Sequence, residues 1–355
     1  MSVLPQSRPR YEAAWRRQKS AAFDLEDNST GGHTVTFPLW GTPRICYCNA
    51  NLSIYSAQAC NGHCPFCVEE LRPASRGGRL VRPKSIEPDD HRYFGALEAT
   101  LQALAPLRPS VSITGGEPSL DPRLPRILAT LARFRARKLT LTTNGSGLLE
   151  LRDGRPLVDH LTAAGVEHLN LSIAHPEPSE SRRLMRLPRS FAEPELREVV
   201  RRAQAGGTRP RFSCVLFTDG IRDLDGMLAY LDFARRLGVD NVIFRQLMQT
   251  DPATRADNLV VRYCDNQRVL IEPLLDQLAT APGFSLRRQI VGYYYYVEVW
   301  RWRGMDVVFE EADLAQLERA KTACPDVIHE LVFHPNACLA STWQPWDGVL
   351  GPSWK

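Results

Sequence analysis

Six times between residues 45 and 280, a short β-branched or apolar run is followed by a longer stretch with helical periodicity. The runs are Ile45–Ser56, Ser110–Ile113, Leu139–Thr142, His168–Ile173, Phe212–Phe217 and Val242–Phe244. The helical stretches after them are Asp89–Leu104, Arg123–Arg135, Leu157–Ala164, Glu193–Ala205, Leu224–Leu237 and Asn266–Thr280. Strands separated by helices of this length pair in parallel through right-handed crossovers. The pattern therefore predicts an α/β chain, and by itself it fits an open sheet as well as a barrel. Glycines at Gly165, Gly206, Gly207 and Gly238 stand where the helices should end, as left-handed caps require.

On either side of this array the texture changes. Residues 1–42 are polar and rich in Arg, Gly and Pro, and read as an N-terminal extension with one short helix around Tyr11–Lys19. Residues 43–283 form the core, and residues 284–355 read as a strand-rich, aromatic C-terminal cap with hairpins. One hairpin should turn at Arg303-Gly304 and another at His334-Pro335-Asn336. No run of apolar residues is long enough for a transmembrane helix, and the basic N-terminus lacks the apolar core of a secretory signal. A cytoplasmic location, with no membrane or nucleic-acid partner, is the expectation. The net charge of +4 is modest, and the Arg pairs 182–183, 201–202 and 235–236 read as solvated helix faces.

Nine cysteines in a chain read as cytoplasmic should be metal ligands, catalytic groups or small buried residues rather than disulfides. Three of them, Cys60, Cys64 and Cys67, stand at CxxxCxxC spacing in the loop after the first strand. Three thiolates so spaced can hold three corners of an iron–sulfur cubane and leave one iron open, which suits substrate binding rather than electron transfer alone. A zinc site with Cys46, Cys48 or His63 as the fourth ligand is the competing reading of this loop. The second strand ends in Gly115-Gly116-Glu117-Pro118. There, adjacent glycines let a ligand approach the backbone and Glu117 can accept from an ammonium group.

These two motifs resemble the radical S-adenosylmethionine (radical SAM) superfamily, and weaker matches along the next four strands look closest to its MoaA-like branch. The resemblance covers roughly residues 46–250. It implies a partial (β/α)6 TIM-like barrel and one [4Fe-4S] cluster on Cys60, Cys64 and Cys67, with the open iron binding S-adenosylmethionine. It further implies that Gly115, Gly116 and Glu117 hold the methionine amino group and that Phe66 lies against the adenine. Thr143-Asn144-Gly145, Asn170 and Ser172 would meet ribose or carboxylate, and Arg245 with Gln246 the adenosine or the substrate. An electron donor such as flavodoxin or ferredoxin would reduce the cluster. The resulting 5′-deoxyadenosyl radical would take hydrogen from a small-molecule substrate, a metabolite or natural product. No residue is assigned a catalytic role beyond these.

Departures from the branch narrow the expectation. Cys264, Cys324 and Cys338 do not reproduce its auxiliary cluster motif, and the chain ends Gly-Pro-Ser-Trp-Lys where the molybdopterin-precursor cyclases end in Gly-Gly. One cluster and no molybdopterin-precursor synthesis are expected. A peptide-modifying maturase of the same superfamily and a non-enzymatic metal or iron–sulfur protein are the alternatives.

Overall fold

The computed structural model describes residues 24–27, 34–56, 59–71, 86–189, 191–250, 258–292 and 294–351. The short helix expected around Tyr11–Lys19 lies outside these residues. All six predicted strand-then-helix units are present. Their strands are β3 (Asn51–Tyr55), β4 (Ser110–Thr114), β5 (Leu139–Thr143), β6 (His168–Ser172), β7 (Arg209–Leu216) and β8 (Asn241–Gln246). They pair in parallel in sequence order. The helices between them are α1 (Asp90–Leu104), α2 (Leu124–Ala132), α3 (Leu157–Ala163), α4 (Pro178–Met185), α5 (Glu193–Ala205) and α6 (Leu224–Arg236). After β8 come α7 (Leu259–Gln267) and α8 (Ile271–Thr280), where one helix, Asn266–Thr280, was expected. The Arg268-Val269-Leu270 segment breaks the two, and Arg268 turns back to the carbonyls of Leu247 and Met248.

Further elements are β1 (Thr34–Leu39), β2 (Thr42–Tyr47), β9 (Phe284–Val291), β10 (Tyr295–Trp302), β11 (Met305–Ala312), α9 (Leu314–Ala323), β12 (Val327–Ile328), β13 (Leu331–Phe333), β14 (Leu339–Ala340) and β15 (Val349–Gly351). The predicted first strand is in fact two. The chain turns at Cys48-Asn49-Ala50, and β2 leaves the main sheet to pair with β1 and β12 in a small one. The β1–β2 hairpin, turning at Trp40-Gly41 with positive φ at both, spans the boundary placed at residue 42. Residues 284–351, read as a strand-rich cap with hairpins, contribute strands to the main sheet. β11 joins the sheet parallel to β8, and β13 joins it parallel to β3, so the C-terminal stretch extends both edges. With the strand Asp24–Asp27, which pairs parallel to β9, the result is an open thirteen-stranded sheet with a parallel core. Arg303-Gly304 does make the β10–β11 turn, with φ of 45° and 84° as a two-residue hairpin loop needs.

Alternation within the strands explains the layering. In β7, Pro210, Phe212, Cys214 and Leu216 are buried, while Arg209, Arg211, Ser213 and Val215 face the other way, half-buried. The buried set meets the helices: Phe212 lies edge-on to Tyr230 of α6, which also touches Phe244 of β8. Fully buried Leu, Val and Ile side chains of β3 to β8 continue this layer, each contributing about 1.5–3 kcal/mol relative to exposure. The helix arginines form surface pairs such as Arg183–Glu180 and Arg201–Glu198. No described helix is long and apolar enough to cross a membrane.

Candidate functional site

The C-terminal ends of the parallel strands bound a cavity of about 770 Å³. Ligands of parallel α/β sheets bind at that edge, because the loops there carry side chains and open amides on a rigid frame. Cys60, Cys64 and Cys67 all line it, as do Gly115, Gly116, Glu117, Asn144 and Ser172. His63 lines it too, whereas Cys46 is fully buried in the small sheet and Cys48 is exposed.

The cysteine loop is fixed on two sides. On one, Glu117 N donates to the carbonyl of Ala59 at 2.9 Å. The backbones approach so closely here that a Cβ on Gly116 would lie 2.4 Å from that carbonyl oxygen. Gly115 beside it has φ of 122°, a conformation costly for any residue with a Cβ. On the other side, His63 N donates to the carbonyl of Met185, and the Cys64 thiol reaches the same oxygen at 3.5 Å. Gly62 N donates to Cys60 Sγ at 3.3 Å. Burial pushes the Cys60 and Cys64 thiols up, with the Glu117 carboxylate adding to the effect at Cys60 and the neighbouring thiols at Cys64. A bound cation reverses that preference, since metal ligation requires the thiolate.

Glu117 is fully buried, and its carboxylate binds the turn together. Oε1 accepts from Ser119 N at 2.9 Å, from Ser119 Oγ at 2.6 Å and from Thr143 Oγ1, while Oε2 accepts from Asn144 N at 2.7 Å. The network continues across the cavity wall. Asn144 Nδ2 donates to Asn61 Oδ1 at 2.8 Å, and Asn61 Nδ2 donates to Ser146 Oγ at 2.9 Å. The cysteine loop, the GGEP turn and the loop after β5 are thus one hydrogen-bonded unit.

Five expected contacts, Phe66, Gly145, Asn170, Arg245 and Gln246, do not line this cavity. Phe66 packs on Phe217 at 5.0 Å between ring centroids, within an apolar cluster that includes Met185 and Leu247. Asn170 lies lower on β6, bonded to Thr142 Oγ1 at 3.2 Å. Arg245 pairs with Glu310 of β11. Conversely, the cavity includes Met185, Arg186, Asn258, Leu259, Val260 and Tyr263, none of which the sequence singled out. The first two end α4, a helix signalled by Pro178 at its first position, and Arg186 takes the left-handed conformation at its C-cap. The others open α7, whose N-cap Asn258 accepts from Val260 N. Asn61, between the cysteines, carries no spacing signal of its own, and its role shows only in its bonds to Asn144 and Ser146.

Among the described residues, no three His, Cys, Asp or Glu side chains are gathered about one point as a mononuclear metal site would be. A cubane asks for something different, since each thiolate bonds its own iron. Three thiols on one wall, beside a glycine backbone that admits no Cβ, fit a cluster with a small ligand against it.

The radical SAM superfamily model matches residues 54–234. The chain belongs to the radical SAM superfamily. That family uses a [4Fe-4S] cluster and S-adenosylmethionine. Among curated relatives, GTP 3′,8-cyclase 2 of Mycobacterium tuberculosis is 34% identical over 126 residues, covering 35% of this chain and 31% of that protein. GTP 3′,8-cyclase of Xanthomonas campestris pv. campestris is 29% identical over 171 residues, 48% of this chain and 46% of its own. PqqA peptide cyclase of Xanthomonas oryzae pv. oryzae is 32% identical over 173 residues, 47% and 40%. This radical SAM chain therefore spans less than half the length of these relatives. Among solved structures, Streptococcus suis SuiB bound to precursor peptide SuiA covers 91% of this chain and 63% of its own. Its identity is 15% and its TM-score 0.49.

Proposed function

We propose that this chain is a radical SAM enzyme that binds a [4Fe-4S] cluster on Cys60, Cys64 and Cys67. It would cleave S-adenosylmethionine reductively to abstract hydrogen from a small-metabolite or natural-product substrate. The observation that carries this reading is a single cavity bounded by the three thiols, the Gly115-Gly116 backbone and the polar ends of β5 and β6. When bound, the cluster and S-adenosylmethionine supply one-electron cleavage of the C5′–S bond, with the electron from a donor such as flavodoxin or ferredoxin.

The chain's own work is positional. Gly115 and Gly116 offer backbone to the ligand at close range, and the buried Glu117 carboxylate holds Ser119, Thr143 and Asn144 in place beside them. Asn144 and Ser172 offer polar groups at the rim. The Asn61–Asn144 bond sets the cysteine loop at a constant distance from that rim. The start of α7, with Val260 and Tyr263, lines the same cavity beside the cysteine loop, where Val260 packs in one apolar cluster with Cys64 and Phe66.

A peptide substrate is the second reading, favoured by the 32% identity with PqqA peptide cyclase. Anaerobic reconstitution with iron and sulfide tests the class. The expected results are the broad visible absorbance of an iron–sulfur cluster, and 5′-deoxyadenosine from S-adenosylmethionine and dithionite, with both lost in Cys64→Ala. Neither signal from the wild-type chain would leave only a metal-binding protein.

A further inference from the structure

The face of the sheet turned away from the helices carries a row of basic side chains below the cavity. Cross-strand register sets out its rows. Ser213 pairs with Ser172 at the rim, Arg211 with Asn170 and Thr142 one step lower, and Arg209 with His168 and Thr140 lower still. Lys138 stands just before β5, beneath Thr140.

Of the carboxylates near this face, all but Glu167 are committed to other cations. Asp240 and Asp306 bind Arg209 at 2.9 and 2.8 Å, Asp306 also binds Arg301 at 2.6 Å, and Glu310 binds Arg245. Arg211 donates through Nε to the side-chain oxygen of Asn241. Neither Arg211 nor Lys138 forms an ion pair among the described residues. Burial and the charges of Arg245 and Arg209 pull Arg211 down to about 10, against the pull of Glu310 and Asp306. Burial and Arg211 lower Lys138, with Glu167 opposing. Beside them, His168 Nδ1 and Asn170 Oδ1 are buried without hydrogen-bond partners.

Like charges brought together, partly desolvated and only partly offset by nearby carboxylates cost stability unless something anionic completes them. Orphaned buried polar atoms have the same implication. We propose that Lys138 and Arg211 bind an anionic group of the substrate, a phosphate or a carboxylate, with hydroxyls of the same molecule on His168, Asn170 and Thr142. From the level of Thr140 to Asn144 is four residues of strand, about 13 Å. The substrate is thus an elongated, hydroxylated anion whose far end reaches the cavity. The assignment rests on the radical reading for what happens at that end, but not for the binding itself.

Titration calorimetry of the reconstituted full-length protein, with inorganic phosphate and separately with succinate, tests it at constant ionic strength in chloride. Saturable binding of at least one anion is expected, and the better of the two identifies the class. Arg211→Gln and Lys138→Gln should each weaken it about tenfold or more, the loss of a charge-assisted hydrogen bond, with partial recovery in Arg211→Lys. Without added anion, Arg211→Gln should melt no lower than wild type, since it relieves a buried repulsion. Absence of saturable binding by either anion overturns the site. So does unchanged affinity in the variants, or a lowered melt in Arg211→Gln with affinity intact. Anion binding in a chain that yields no 5′-deoxyadenosine would instead sink the radical reading and leave the pocket standing.

Discussion

The buried carboxylate of Glu117 accepts a 2.7 Å hydrogen bond from the backbone amide of Asn144, joining the turn after β4 to the loop after β5. The other oxygen accepts from Ser119 and Thr143. Every group that meets this carboxylate is a donor. Glu117→Gln places an NH₂ group against one of them and should cost about 1–3 kcal/mol of stability, the range for a buried polar group left unmatched. Thermal melts of the two proteins measure it, and an unchanged midpoint would show that the turn does not depend on the carboxylate. Affinity for S-adenosylmethionine should fall as well, because Asn144 moves with the network.

Gly116 has no room for a methyl group. Its Cβ would sit 2.4 Å from the carbonyl oxygen of Ala59, a backbone atom that cannot rotate away. Gly116→Ala should therefore displace the cysteine loop and break the bond from Glu117 N to Ala59. Iron and sulfide content after reconstitution should drop well below wild type while the far-ultraviolet spectrum is kept. Full cluster loading in the variant would mean that the loop tolerates movement the close packing argues against.

The C-terminal cysteines offer a count. Cys264 is buried in the apolar cluster beneath α7, Cys324 caps α9 and is exposed, and the Cys338 thiol turns to the carbonyl of Asn336 at 3.8 Å. They are not gathered with one another among the described residues. Cys324→Ser and Cys338→Ser should each keep about four irons per chain, the content of one cubane, and Cys60→Ser should keep far fewer. A fall of half in either C-terminal variant would instead reveal a second cluster.

What could be read from the residues was the part governed by local period and spacing. Leu139–Thr142 and His168–Ile173 announce themselves as strands because burial on one face forces alternation. CxxxCxxC and GGEP were readable because their residue types have few other uses at that spacing. The position of β2 was not readable, since β-forming residues flank the short Asn49-Ala50-Asn51 stretch on both sides and pairing alone shows that the turn there diverts β2 to another sheet. Nor was the joining of β11 to β8 and β13 to β3, which is set by tertiary pairing between distant segments. Arg186 and Tyr263 were unreadable for a similar reason: one caps α4 and the other lies midway along α7, helices whose own sequences carry no cavity signal. The cationic row fell between the two cases. Arg209 and Arg211 alternate with buried residues along β7, but only the register with His168 and Lys138 shows the charges accumulating.

His168 lets that accumulation be measured by pH. Burial, then Arg211, Lys138 and Arg209, hold its imidazole down to about 3 from an ordinary 6.5, with Asp240 opposing. The folded protein keeps the ring neutral where the unfolded chain protonates it. Between these values the unfolded state binds the extra proton, so stability is present above 6.5 and is lost as pH falls toward 3. Urea midpoints across this window should therefore decline more steeply for wild type than for His168→Gln, in which the proton-binding difference is gone. Inorganic phosphate should shallow the wild-type decline, because an anion between Lys138 and Arg211 raises the imidazole again. Parallel pH profiles for wild type and His168→Gln would show that the ring is solvated, and that the basic groups around it lie too far apart to act together.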